Sequence, residues 1–115
     1  MQLTFVEGTT LAFDITYAVD NDARTPIDLT GCAVKFVASP TNSRRRLIDA
    51  TTETGEITLT PAAGEIRINV PPSATTGAAA DWQGARYEIR VTFPSGDVYS
   101  LVRGEIVRIE GVIDD

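Results

Sequence analysis

Residues 87–97 read YEIRVTFPSGD and indicate the fold class. Apolar side chains occupy every second position from Tyr87 to Phe93, with charged or polar side chains between them, which is typical of a strand with one buried face. The PSGD segment that follows has the composition of a tight turn. Residues 98–109 then return as the partner strand, in which Gly104 is the expected β-bulge. The stretch therefore predicts an antiparallel hairpin.

The same alternation recurs along most of the chain. Gly8 provides a kink between a short first strand and a long second one. A Pro-Pro pair at 71–72 ends the sixth strand, because neither proline can donate to a β-ladder. An Ala-rich crossover follows, with one helical turn expected around Ala78, Ala79 and Ala80. The predicted strands are 3–5, 11–19, 32–38, 47–48, 56–60, 66–70, 87–93 and 98–109.

About seven to nine short strands and no convincing amphipathic helix predict an all-β protein, a single antiparallel β-sandwich. A closed barrel uses the same alternating pattern and remains the alternative. The length of 115 residues fits one domain over 1–115. Cys32 is expected to pack as a small hydrophobe. The predicted core includes Phe13, Ile15, Val34, Phe36, Ile66, Ile68, Ile89 and Val91.

The balance of charges argues against nucleic acid and membranes as partners. Ten basic and sixteen acidic residues give a net charge of -6, which repels phosphate backbones and anionic lipid. No segment reaches the roughly 20 apolar residues that a membrane helix needs. The N-terminus lacks the basic and apolar regions of a secretory signal. The lone Cys32 cannot form an internal disulfide, which is typical of folding in a reducing cytoplasm.

The residue types that enzymes use most are missing. The chain contains no histidine, the commonest general base and zinc ligand. The carboxylates of Asp20, Asp22 and Asp28 could in principle form an acid–base pair, but their place in a loop favours a role as turn residues. The Asp20-Asn21-Asp22 triplet could supply oxygen ligands to calcium, although it lacks the spacing of an EF-hand. We therefore expect no enzyme activity, no cofactor and no metal.

Two features are candidate interaction sites. The run Arg44-Arg45-Arg46 could form an anion-binding patch, but the absence of aromatic partners favours a solvated loop or strand edge. Trp82 lies in the Ala-rich crossover, where it could be an exposed binding anchor or could cap the open end of the sandwich. The capping role is favoured, because large aromatic side chains usually become buried.

Several motifs resemble a known pattern when they are read in order. They are Gly8-Thr9-Thr10, Phe13, PIDLTGCAV at 26–34, GEIRI at 64–68, YEIRVT at 87–92 and PSG at 94–96. The chain resembles small phage and prophage proteins that are associated with the tail, tail tip or baseplate and fold as immunoglobulin-like β-sandwiches. The similarity extends over most of the chain, but its motifs are turns and core strands rather than a catalytic signature. The Ala-rich crossover is longer than that pattern leads us to expect.

The resemblance implies a virion structural component that is made in the host bacterial cytoplasm and acts by protein–protein assembly. Its expected partners are other phage tail proteins, or further copies of itself in a trimer or hexamer. A carbohydrate- or surface-binding module is the alternative function. Besides Trp82, only Tyr17, Tyr87 and Tyr99 could contribute to a sugar-stacking platform, and the first two of these lie on predicted core faces.

Overall fold

The structure is a computed structural model that describes residues 2–18, 25–77 and 79–111. Within these ranges the chain forms eight strands, two short 3-10 turns and one turn of α-helix. The 3-10 turns are Pro61–Ala63 and Pro72–Thr75, and the helical turn α1 is Ala79–Trp82. The strands are β1 (Leu3–Val6), β2 (Leu11–Thr16), β3 (Ala33–Ser39), β4 (Ile48–Thr51), β5 (Ile57–Thr60), β6 (Glu65–Val70), β7 (Arg86–Thr92) and β8 (Val98–Ile109).

The strands form two open sheets that pack as a sandwich. One sheet has the order β1-β8-β7-β3-β4 and the other has the order β2-β6-β5. In chain order, β2-β6-β5 correspond to strands B, E and D of an immunoglobulin-like domain, and β8-β7-β3-β4 correspond to G, F, C and the strand after C. The sandwich predicted from the sequence is confirmed. The closed-barrel alternative is wrong, because both described sheets end in edge strands.

One strand pair departs from the predicted antiparallel arrangement. β1 and β8 run parallel, with Leu3 opposite Ile106 and Val6 opposite Ile109. The Glu7 N–H extends this ladder by donating to the Ile109 carbonyl over 2.8 Å. Alternation along a strand reports which face is buried but carries no information about the direction of the neighbouring strand. The sequence pattern was therefore compatible with either direction.

The predicted bulge at Gly104 is wrong. Gly104 lies in the regular ladder opposite Tyr87, and the register shifts instead between Ile89 and Arg90. This shift leaves Leu101 without a partner on β7. Leu101 and its neighbour Val102 both pack against the core. Two adjacent residues of a regular strand face opposite sides, so the extra residue is what allows both side chains to reach the core.

The core lies between the two sheets. Six of the eight predicted core residues are fully buried, but Phe13 and Ile15 are only half-buried. Both belong to β2, which pairs with β6 on one side and has no described strand on the other. Their exposure follows from this edge position. The six buried residues are Val34, Phe36, Ile66, Ile68, Ile89 and Val91.

The predicted hairpin at 56–70 is present as β5 and β6, and its turn requires a glycine. Gly64 follows the turn Pro61–Ala63 with φ of 63°, in the left-handed region that favours glycine. A Cβ atom at this position would overlap the carbonyl oxygen of Tyr17. The N–H of Tyr17 in turn donates to the Gly64 carbonyl over 2.7 Å. This close approach fixes the end of β2 against the start of β6.

Candidate functional site

Trp82 is buried rather than projecting into solvent. Trp82 is the last residue of α1 and is only 4% exposed. The ring packs edge-on against Phe5, with 5.2 Å between the ring centroids. Its Nε1 donates to the Thr76 carbonyl over 3.3 Å. This placement agrees with the capping role that the sequence favoured, and it does not agree with an exposed binding anchor.

Arg108 is a buried cation that the sequence did not single out. Its side chain is 2% exposed and its guanidinium lies 5.5 Å from the centre of the Trp82 ring. It donates to the Gly77 carbonyl over 3.0 Å and lies 3.6 Å from the Glu7 carboxylate. A buried arginine needs such partners, because an unpaired buried charge is strongly destabilising. Arg108 therefore fastens the Ala-rich crossover to β8.

Thr75 fastens the same crossover to the turn between β1 and β2. It is fully buried, and its hydroxyl accepts a hydrogen bond from the Gly8 N–H over 3.1 Å. The hydroxyl also lies 2.8 Å from the Pro72 carbonyl and 3.1 Å from the Thr9 carbonyl, either of which can accept its proton. These contacts and those of Arg108 give the crossover a structural role.

The three arginines at 44–46 lie exposed in the loop between β3 and β4, as the sequence favoured. Arg45 forms a salt bridge with Asp81 at 2.5 Å, and Arg46 forms one with Asp49 at 2.8 Å. Within the described ranges, Arg44 has no salt-bridge partner. Two of the three arginines therefore hold the loop through salt bridges, while Arg44 is available to bind an external anion.

The arginine loop borders a groove on the outer face of the five-stranded sheet, which we call the basic groove. Its volume is about 420 Å³. Lys35 of β3 and Arg90 of β7 stand directly opposite each other across neighbouring strands within it. The sequence predicted outward-facing positions for both, but it could not show that they are neighbours. The groove lining includes Lys35, Val37, Arg44, Arg46, Glu88 and Arg90.

Glu88 is the one acidic side chain among these lining residues. Partial burial opposes its ionisation, but hydrogen bonds from Arg90 and Ser100 and the positive charges of Arg90 and Arg103 lower its pKa below the usual range. The Arg90 Nε lies 3.0 Å from its carboxylate. Glu88 therefore stays ionised and holds Arg90, yet it offsets the charge of only one of the four cations in the groove.

Basic residues are concentrated on this side of the molecule. The chain as a whole carries sixteen acidic and ten basic residues. Seven of those ten belong to the outer face of the five-stranded sheet or to the arginine loop beside it. The basic groove is thus a local positive region on a negatively charged protein. The seven residues are Lys35, Arg44, Arg45, Arg46, Arg86, Arg90 and Arg103.

Two exposed apolar patches lie at opposite ends of β8. Val6 and Ile109 face each other across the β1–β8 pair and are 40% and 51% exposed. At the hairpin end, Tyr99 is 49% exposed and stacks edge-on against Phe93, with 5.6 Å between ring centroids.

The candidate acid–base carboxylates and calcium ligands of the sequence divide into a described and an undescribed part. The Asp20-Asn21-Asp22 triplet lies outside the described residues. Asp28 is described, and its carboxylate accepts hydrogen bonds from the Thr30 hydroxyl at 2.6 Å and the Thr30 N–H at 3.0 Å. These bonds lower the pKa of Asp28 and are those of a turn residue. Among described residues, no group of three His, Cys, Asp or Glu side chains could hold a metal ion.

Cys32 lies in surroundings that do not activate its thiol. It is half-buried and packs against the core, as expected of a small hydrophobe. Burial, together with the negative charge of Asp28, raises the pKa of its thiol. A raised pKa disfavours the thiolate that a nucleophile requires.

Comparison of the chain with protein-family models and with curated proteins gives no match. In the described part of the structure, no helix has both the length and the apolar character needed to cross a membrane.

Proposed function

We propose that this domain is a structural component of a phage or prophage tail, tail tip or baseplate, and that it acts by protein–protein assembly without chemistry of its own. The observation that carries the proposal is the open edge of β2. Support for the phage context comes from the ordered turn and strand motifs in the sequence and from the immunoglobulin-like strand order in which they lie. The alternative is a carbohydrate- or surface-binding module.

Within the described residues, the β2 edge has backbone groups that no other strand uses and that a neighbouring strand could bind. The Tyr17 N–H donates to the Gly64 carbonyl on the β6 side. Because hydrogen-bonding direction alternates along a strand, the N–H groups of Ala12, Asp14 and Thr16 point away from β6. No described strand occupies that side. An edge of this kind is a template for strand addition by another chain.

The side chains of β2 support the same interpretation. Phe13 and Ile15 point toward the core but remain half-buried, while their partners Ile68 and Ile66 on β6 are fully buried. A strand added beside β2 would cover the exposed parts of both side chains. Burial of apolar surface contributes about 25 cal/mol per Å², so the same contact that satisfies the backbone would also be stabilised by the hydrophobic effect.

A pair of variants at Ala12 tests this function. Ala12→Pro removes one outward N–H without removing a hydrogen bond to β6, whereas Ala12→Thr keeps the N–H and suits a strand. The assays are light scattering at high protein concentration and co-purification with the products of adjacent tail genes. We expect the wild type and Ala12→Thr to form a trimer, a hexamer or a complex with those products, and Ala12→Pro to lose it.

Two results would contradict the proposal. Equal association by all three proteins would remove the β2 edge from the mechanism. A strict monomer that binds none of the tail products but is retained on a glycan array would instead favour the carbohydrate-binding alternative.

A further inference from the structure

We propose that the basic groove is a docking site for a short acidic segment of a partner protein. The inference deepens the assembly function proposed above and rests on it, but it concerns a different surface. The β2 edge belongs to the three-stranded sheet, whereas the groove lies on the outer face of the five-stranded sheet.

The first argument is the placement of like charges. Lys35 and Arg90 are directly opposite on adjacent strands, an arrangement that is destabilising in a sheet. Arg44 and Arg46 line the same groove from the neighbouring loop. Binding of a carboxylate between these cations would relieve their repulsion.

The second argument is that these cations contribute little to the fold. Lys35 and Arg44 form no salt bridge within the described ranges. Arg46 and Arg90 do form salt bridges, but their side chains are 48% and 59% exposed. Exposed ion pairs of this kind stabilise a protein weakly. The four cations are therefore available for a ligand without loss of the fold.

The composition of the groove selects the class of ligand. Guanidinium groups bind carboxylates in a bidentate geometry, and three arginines line the groove. None of the described residues that line it is aromatic, so a sugar ring or a nucleobase has no surface on which to stack. A long polyanion would also extend beyond the groove over a protein of net charge -6. A short acidic protein segment avoids both difficulties.

The test is an NMR titration of the ¹⁵N-labelled protein with a short Glu-Gly repeat peptide at low ionic strength. We expect saturable shifts at Lys35, Arg44 and Arg90 but none at Arg67, which lies on the other sheet. The double variant K35Q/R44Q removes two cations that have no salt bridge to a described residue, and it should weaken binding about fivefold. The control R67E changes the net charge by the same amount and should alter the affinity less than about twofold.

Several outcomes would overturn the proposal. Equal loss of affinity in K35Q/R44Q and R67E would show an effect of overall charge rather than a site, and the absence of saturable shifts would show no site at all. Tighter binding of a polyuronate or an oligothymidine than of the peptide would assign the groove to another class of ligand. Each of these results can occur while association through the β2 edge persists, and loss of that association leaves peptide binding measurable.

Discussion

Replacement of Phe36 by alanine tests whether the centre of the sandwich lies where the structure places it. Phe36 is 0% exposed and makes edge-on ring contacts with Phe13 at 5.7 Å and Tyr87 at 5.8 Å between centroids. Truncation of a buried phenylalanine costs about 3–5 kcal/mol, and each aromatic pair adds about 0.5–1.5 kcal/mol beyond area burial. The range for truncation already includes lost ring contacts, and two such contacts are lost here. We therefore expect Phe36→Ala to lower the free energy of unfolding by an amount in the upper part of that range, about 4–5 kcal/mol.

Phe13→Ala is the matched control, because it removes the same atoms from a half-buried position. Its expected cost is lower, about 2 kcal/mol, since part of the side chain is already in water. The assay is denaturant unfolding at low protein concentration, where association does not add to stability. Equal costs for the two variants, or a larger cost for Phe13→Ala, would refute the assignment of β2 as an open edge and of Phe36 as the core centre.

Three further predictions concern the turns, the crossover and metal dependence. Gly64→Ala should cost about 2–4 kcal/mol of stability, because the new Cβ would overlap the Tyr17 carbonyl oxygen. Gly96→Ala should cost only about 1 kcal/mol, because its positive φ is strained for alanine but no atom lies within 4 Å of the new Cβ. Thermal melts of the two variants measure the difference. Arg108→Met should cost about 2–3 kcal/mol, because the buried side chain would no longer bond the Gly77 carbonyl or pair with Glu7, and it should shift the emission of the sole tryptophan, because the guanidinium beside the Trp82 ring is lost. An unchanged spectrum would count against the contact between Arg108 and Trp82. EDTA should leave the melting temperature unchanged, and a fall of several degrees would revive calcium binding by the Asp20-Asn21-Asp22 triplet.

Much of the fold was predictable because it depends on local alternation. Val34, Phe36, Ile89 and Val91 recur at every second position and are all buried in the structure. The bulge was predicted at the wrong residue because glycine was taken as its signal. The better signal was a change in phase, since Leu101 and Val102 are adjacent apolar residues and only an extra residue lets both face the core.

The two proposed contact surfaces were less predictable because they depend on which strands become neighbours. Lys35 and Arg90 are 55 residues apart in sequence, and their opposition follows only from the register of β3 against β7. The open edge of β2 likewise depends on β1 joining the other sheet beside β8. Non-local pairing of this kind leaves no mark in the period of either strand. Phe13 and Ile15 therefore have a core pattern but not core burial.

The two surfaces lie on different sheets, which leads to a final prediction about assembly. A domain with two unlike contact surfaces can bind two neighbours in a head-to-tail manner, and such contacts close into a ring when the rotation permits. If the β2 edge and the basic groove contact different partners, the losses in association free energy caused by Ala12→Pro and K35Q/R44Q should add in the combined variant. If the β2 edge of one copy meets the groove of the next, either change alone breaks the same contact. The combined variant would then lose little more than each single one, and sedimentation equilibrium of the four proteins distinguishes the two arrangements.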